Sequence, residues 1–98
     1  ALPDSVNTPA INVSMAEGQH HAFMEKLQAQ VTFEGAEVTT IDGVRADFED
    51  GWGLVRASNT TPVLVLRFEA DTDVALERIM KLFRNKMHEV DPGINLSF

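Results

Sequence analysis

The chain of 98 residues contains no cysteine. That excludes disulfide staples, thiolate chemistry and cysteine-based zinc sites, and makes a cytoplasmic protein that folds on packing alone the simplest expectation. Positive charge is scarce: 8 lysines and arginines stand against 15 aspartates and glutamates, for a net charge of −7. Nucleic acids and anionic membranes are recognised through a basic face that displaces counterions, so neither is expected as a partner. No apolar run is long enough for a membrane span, and no basic-then-apolar leader opens the chain as given. Internal repeats and low-complexity tracts are missing as well. What remains is an ordinary apolar fraction of 44%, enough at this length for one small domain around a single core.

Residues 1–10, with Pro3 and Pro9 among polar neighbours, read as an extended interdomain linker, leaving residues 11–98 as the domain. Ile11, Val13 and Met15 alternate with polar residues, which predicts a first strand. A helix should start near Glu17-Gly18, because Phe23, Met24, Leu27 and Val31 fall on one helical stripe. From Glu37 the period changes to two. Val38 to Ile41 is expected as a short strand ending in the turn signal Asp42-Gly43. Val44, Ala46 and Phe48 then face one way, Glu49-Asp50-Gly51 turns the chain, and Trp52 to Ala57 and Val63 to Ala70 form two more strands. A last helix, capped by Thr72, carries Leu76, Ile79, Met80, Phe83, Met87 and Val90 on one stripe and stops at Asp91-Pro92-Gly93. The expected class is α+β, a mostly antiparallel sheet with two helices on one face.

The chemistry concentrates between the last two strands, in Arg56-Ala57-Ser58-Asn59-Thr60-Thr61-Pro62. A guanidinium is a planar fork of donors matched to two oxygens of a phosphate. Ser, Asn and Thr add neutral donors, and the amides of a tight turn add more. No nucleophile stands with a base beside it, so the tip is suited to gripping rather than reacting.

The strings Thr39-Thr40-Ile41-Asp42-Gly43-Val44-Arg45 and Gly51-Trp52-Gly53-Leu54-Val55-Arg56-Ala57-Ser58-Asn59-Thr60-Thr61-Pro62, continuing through Val63 to Asp71, closely resemble the C-terminal domain of the bacterial phosphomannomutase/phosphoglucomutase family, in the α-D-phosphohexomutase superfamily. The likeness is weaker in Val6-Asn7-Thr8-Pro9 and the first strand. It implies a fold like that of the TATA-box-binding protein, with no DNA binding attached to that likeness. It also implies a four-domain isomerase that interconverts the 1-phosphate and 6-phosphate of mannose or glucose through a glucose 1,6-bisphosphate type of intermediate. In such enzymes a phosphoserine of the first domain and a magnesium ion of the second carry the phosphoryl transfer, and a loop of the third domain reads the sugar hydroxyls. The fourth domain binds the phosphate that is not reacting and swings to close the cleft. Carried onto this chain, the phosphate loop falls on Arg56, Ser58, Asn59 and Thr60, with Thr61 a neighbour. The serine, metal and sugar loops have no counterpart here. Neither a catalytic residue nor a metal or other cofactor is therefore expected in this domain, which alone should be silent. Its partners would be hexose phosphates and the other three domains of a longer chain, one of which the start at Ala1 without an initiator Met also suggests.

Blander readings stand beside these. Arg56 could be a surface arginine paired with Asp50 or Glu69, and Ser58 to Thr61 could use their side chains to satisfy the turn's own backbone. Arg45 and Arg67 read as solvated strand arginines that could lend long-range charge. His20 and His21, adjacent on a helix, diverge too far to chelate one metal. Trp52 reads as a packing anchor. The alternative function is a stand-alone α+β regulatory or protein-interaction domain that binds no sugar phosphate.

Overall fold

The computed structural model describes residues 5–30, 32–41, 43–96 and 98. Among these residues six strands and two helices follow in the order β1 (Val6–Asn7), β2 (Ile11–Ser14), α1 (Gln19–Gln30), β3 (Ala36–Thr39), β4 (Val44–Phe48), β5 (Gly51–Ala57), β6 (Val63–Ala70) and α2 (Asp73–Val90). The strands make one sheet in the order β1-β6-β5-β4-β3, and β2 also pairs with β6, all antiparallel. Period-two alternation dictates its two faces. Val44, Ala46, Val55, Leu64, Leu66, Phe68 and Ala70 are buried on one, while Arg45, Arg56 and Arg67 are exposed on the other.

Both helices lie over the buried face, with α1 against β4 and β5 and α2 against β5 and β6. Their apolar stripes, Phe23, Met24 and Leu27 from α1 and Ala75, Ile79, Phe83 and Met87 from α2, close the core. Val31, expected on the first stripe, lies outside the described residues. Phe83 is the hub: it stacks on Phe33 at 4.8 Å and meets Phe68 edge-on at 5.3 Å. Gly53 leaves the room it needs, since a Cβ there would stand 2.5 Å from a Phe83 ring carbon. At the start of α2 the Thr72 hydroxyl accepts from the Ala75 N–H at 3.1 Å, and Asp91 caps the far end.

Three local expectations shift. The start of the chain does more than lead in, because Val6 and Asn7 pair with Ala70 and Glu69. Pro9, which has no N–H to give, falls where the chain steps from that register to the pairing of Ile11 with Leu66. The third strand begins at Ala36, opposite Phe48, and ends at Thr39; Thr40 and Ile41 belong to the turn, and Ile41 is 84% exposed. Trp52 packs on the open face beneath the Arg45 guanidinium, 4.6 Å from its ring centre, and takes no part in the core.

Candidate functional site

One end of the sheet gathers three connections: β2 to α1, β3 to β4, and β5 to β6. The third, residues 58–62, is tied down at both sides. The Ser58 N–H donates to Val63 O at 2.9 Å, and the Met15 N–H donates to Pro62 O at 2.8 Å. Inside the turn Ser58 Oγ is the centre. It accepts from the backbone N–H groups of Thr60 and Thr61 at 3.3 and 3.4 Å and from the Thr61 hydroxyl at 3.4 Å, and it lies 3.3 Å from Thr60 Oγ1. The turn thus uses its hydroxyls to satisfy its own backbone, as the blander reading expected. These bonds are at the long end of the hydrogen-bonding range and are correspondingly weak. Asn59, Thr60 and Thr61 are exposed and Ser58 is half-buried.

Arg56 stands next to this turn, opposite Val65 on β6, with its side chain exposed on the open face. Neither carboxylate considered for it is its partner. Asp50 is taken by Arg78, in bonds of 2.8 and 2.5 Å that hold the Asp50 carboxyl below its ordinary value. Among the described residues Arg56 makes no ion pair. Arg45 differs: it is forked onto Asp47 at 3.1–3.2 Å. In the register of the sheet Arg45, Leu54 and Arg67 form one row, and Arg56 and Val65 belong to the next. All five border an open cavity of about 620 Å³, together with Thr39, Ile41 and Gly43. Arg45 and Arg67, read from the sequence as solvated strand arginines, share this face with Arg56, and pairing brings Arg56 and Arg67 into diagonal neighbourhood, roughly 7–8 Å between Cα atoms in such pairs.

Three residues that hold this end together were not singled out as site residues from the sequence. Gly43 lies against the backbone of Arg56: a Cβ would collide with the Val55 carbonyl oxygen and stand 2.9 Å from Arg56 Cβ. Gln28 of α1 donates from Nε2 to Thr40 O at 3.1 Å and Gly43 O at 3.2 Å, pinning the β3–β4 turn. His20, also on α1, is only 6% exposed, and its Nε2 lies 3.1 Å from Ser58 O. The His20 and His21 rings lie 4.1 Å apart, centre to centre, tilted at 37° to one another. Spacing was the available signal, because His20 precedes Phe23, Met24 and Leu27 by three, four and seven residues and so falls on the buried stripe.

The class these features define is an open-faced α+β domain with an arginine and a polar, amide-lined turn at one end of its sheet. Comparison with known proteins names the class. The family described as phosphoglucomutase/phosphomannomutase, C-terminal domain, matches residues 11–86. The phosphomannomutase/phosphoglucomutase of Pseudomonas aeruginosa PAO1 is 51% identical over the whole of this chain, which covers 21% of that protein. The phosphoglucomutase of Neisseria gonorrhoeae is 58% identical over 85 residues, 85% of this chain and 18% of that protein. The crystal structure of a phosphoglucomutase/phosphomannomutase family protein from Burkholderia thailandensis superposes with a TM-score of 0.86 at 48% identity, over 99% of this chain and 20% of its own. The chain belongs to the phosphoglucomutase/phosphomannomutase family, as its C-terminal domain, and spans about a fifth of the length of these relatives.

Proposed function

We propose that this domain grips the non-reacting phosphate of a hexose phosphate and closes the active-site cleft of a longer phosphomannomutase/phosphoglucomutase, during reversible interconversion of the 1-phosphate and 6-phosphate. The observation that carries this reading is Arg56, which in a chain of net charge −7 has no carboxylate partner among the described residues and stands beside a turn rich in N–H and hydroxyl groups. The family supports it, since the relatives are a phosphomannomutase/phosphoglucomutase and a phosphoglucomutase.

A mutase that works at both ends of one sugar exchanges its reacting and anchored phosphates halfway through the cycle. The anchor must therefore address phosphate oxygens and ignore the ring. A guanidinium fork with a set of neutral donors does that. On binding, the long bonds around Ser58 Oγ give way to charge-assisted bonds, which are shorter and stronger. Holding the distal phosphate supplies remote binding energy that aligns the reacting end. Closure then excludes the water that would compete for the phosphoryl group. For the magnesium implied by the family, the described residues offer no cluster of three or more His, Asp or Glu, and no step is assigned to a metal in this domain. The domain's part is to bind, orient and enclose.

The test uses the longer enzyme. Arg56→Ala removes one charge-assisted pair, about 1.5–3 kcal/mol, and should lower kcat/KM for glucose 1-phosphate and mannose 1-phosphate by the same factor, roughly 10- to 100-fold. A loss for one sugar alone would mean that the loop reads the ring. Unchanged kinetics would remove Arg56 from the site.

A further inference from the structure

His20 is the one buried polar or charged side chain among the described residues, and nothing in the grip itself uses it. It occupies a position on the apolar stripe of α1 that a leucine would fill without desolvating a ring nitrogen. Its Nε2 lies 3.1 Å from Ser58 O, across 38 residues of sequence. A carbonyl oxygen only accepts, so Nε2 carries the hydrogen and donates. The other ring nitrogen, Nδ1, is buried and has no partner among the described residues. Polarity is thus kept at this site at the cost of an orphaned nitrogen, and what it secures is a single bond to the loop.

That bond completes Ser58. Its N–H is held by Val63 O, its Oγ organises Thr60 and Thr61, and its carbonyl is held by His20. Ser58 thereby becomes a fixed point from which the rest of the turn is aimed. Eight residues further along α1, Gln28 pins the β3–β4 turn at Thr40 and Gly43, and Gly43 lies under Arg56. One helix therefore holds the connections on both sides of the arginine.

We propose that His20 is a positioning residue of the phosphate loop: by donating from Nε2 to the Ser58 carbonyl it locks Ser58, and with it the direction of the Ser58–Thr60 donors, before the phosphate arrives. This rests on the reading that the loop grips phosphate, but the lock itself can be read without a ligand. His20→Leu removes the donor and keeps apolar bulk. His20→Gln keeps an amide donor at about the reach of Nε2.

Three measurements on the isotopically labelled 98-residue chain decide it, with thermal unfolding as the check on folding. Long-range proton–nitrogen spectra should show the His20 ring with its hydrogen on Nε2; a hydrogen on Nδ1 alone would overturn the proposal. Amide relaxation should show residues 58–61 losing order in His20→Leu and regaining it in His20→Gln. Equal order in all three proteins would also overturn it. Titration with glucose 1,6-bisphosphate should be about two- to tenfold weaker for His20→Leu, the equivalent of one neutral hydrogen bond, and within about twofold of the parent for His20→Gln. If the parent chain shows no shifts in the loop, the proposed phosphate grip is in doubt, while tautomer and relaxation still decide the lock. If His20→Leu does not fold, the tautomer and the order of the loop in His20→Gln carry the decision, and a disordered loop there counts against the role.

Discussion

Replacing Gly43 by alanine should cost far more than one methyl group suggests. Gly43 has φ of +156°, in the region L residues rarely adopt, and holding a non-glycine residue in such a conformation costs on the order of 1–3 kcal/mol. The added Cβ would collide with the Val55 carbonyl oxygen and stand 2.9 Å from Arg56 Cβ and 3.1 Å from Arg56 Cα. Those are backbone and near-backbone atoms of a paired strand, so β4 and β5 must part at their last pair, an overpacking cost of about 1–3 kcal/mol. One backbone shift relieves both penalties, so the sum is an upper limit and about 2–4 kcal/mol is expected. In a domain of this size that lowers Tm by roughly 10–25 °C. Gly35→Ala is the matched control, because Gly35 also has positive φ (+82°) but an added Cβ meets nothing within 4 Å. Thermal unfolding of both variants isolates the contact, and amide spectra of Gly43→Ala should move most at Val55 and Arg56. Equal losses for the two glycines would refute the claim that β5 at Arg56 rests on Gly43.

Two further outcomes follow from charge. Arg78 holds the Asp50 carboxyl below its ordinary value, chiefly through their hydrogen bonds. A depressed carboxylate stabilises the fold above its unfolded value of about 3.9 and loses that contribution as pH falls below it. Because the pair is largely exposed, Arg78→Met should destabilise by no more than about 1 kcal/mol at pH 7 and by nothing measurable near pH 2; equal losses at both pH values in denaturant melts would contradict this. Arg67 stands a row away from Arg56, and a unit charge about 8–10 Å off in water contributes roughly 0.4–0.5 kcal/mol. Arg67→Ala should therefore weaken binding of glucose 1,6-bisphosphate by about twofold, against 10- to 100-fold for Arg56→Ala. Comparable losses would make Arg67 a direct contact.

Where structure is written locally, the sequence was legible. The alternation of Val63 to Ala70 and the stripe and cap of α2 appear in the fold as expected, because period and capping depend on near neighbours. The α+β class followed from the order of those periods. Contacts across long sequence separation were not legible. Nothing around His20 announces a carbonyl 38 residues away, and nothing around Gly43 shows that Arg56 packs on it. The third strand was placed two residues late because Ile41 reads as a strand residue, although Ala36 is what pairs with Phe48. Trp52 was expected to anchor packing; its partner turned out to be Arg45 on the open face, since strand parity places it there opposite Asp47 and Glu69. For the loop, residue types pointed to the chemistry and family resemblance to the ligand, whereas the absence of an ion pair at Arg56 among the described residues is visible only in three dimensions.

Titration of the labelled domain with glucose 1,6-bisphosphate, read by amide shifts, tests whether the loop at Arg56 grips phosphate. As one part of the proposed divided site it should bind weakly, on the order of millimolar or −4 kcal/mol. Saturable shifts are expected, confined to Arg56 through Thr61 and lost in Arg56→Ala. Shifts centred elsewhere, or saturation that survives Arg56→Ala, would contradict it.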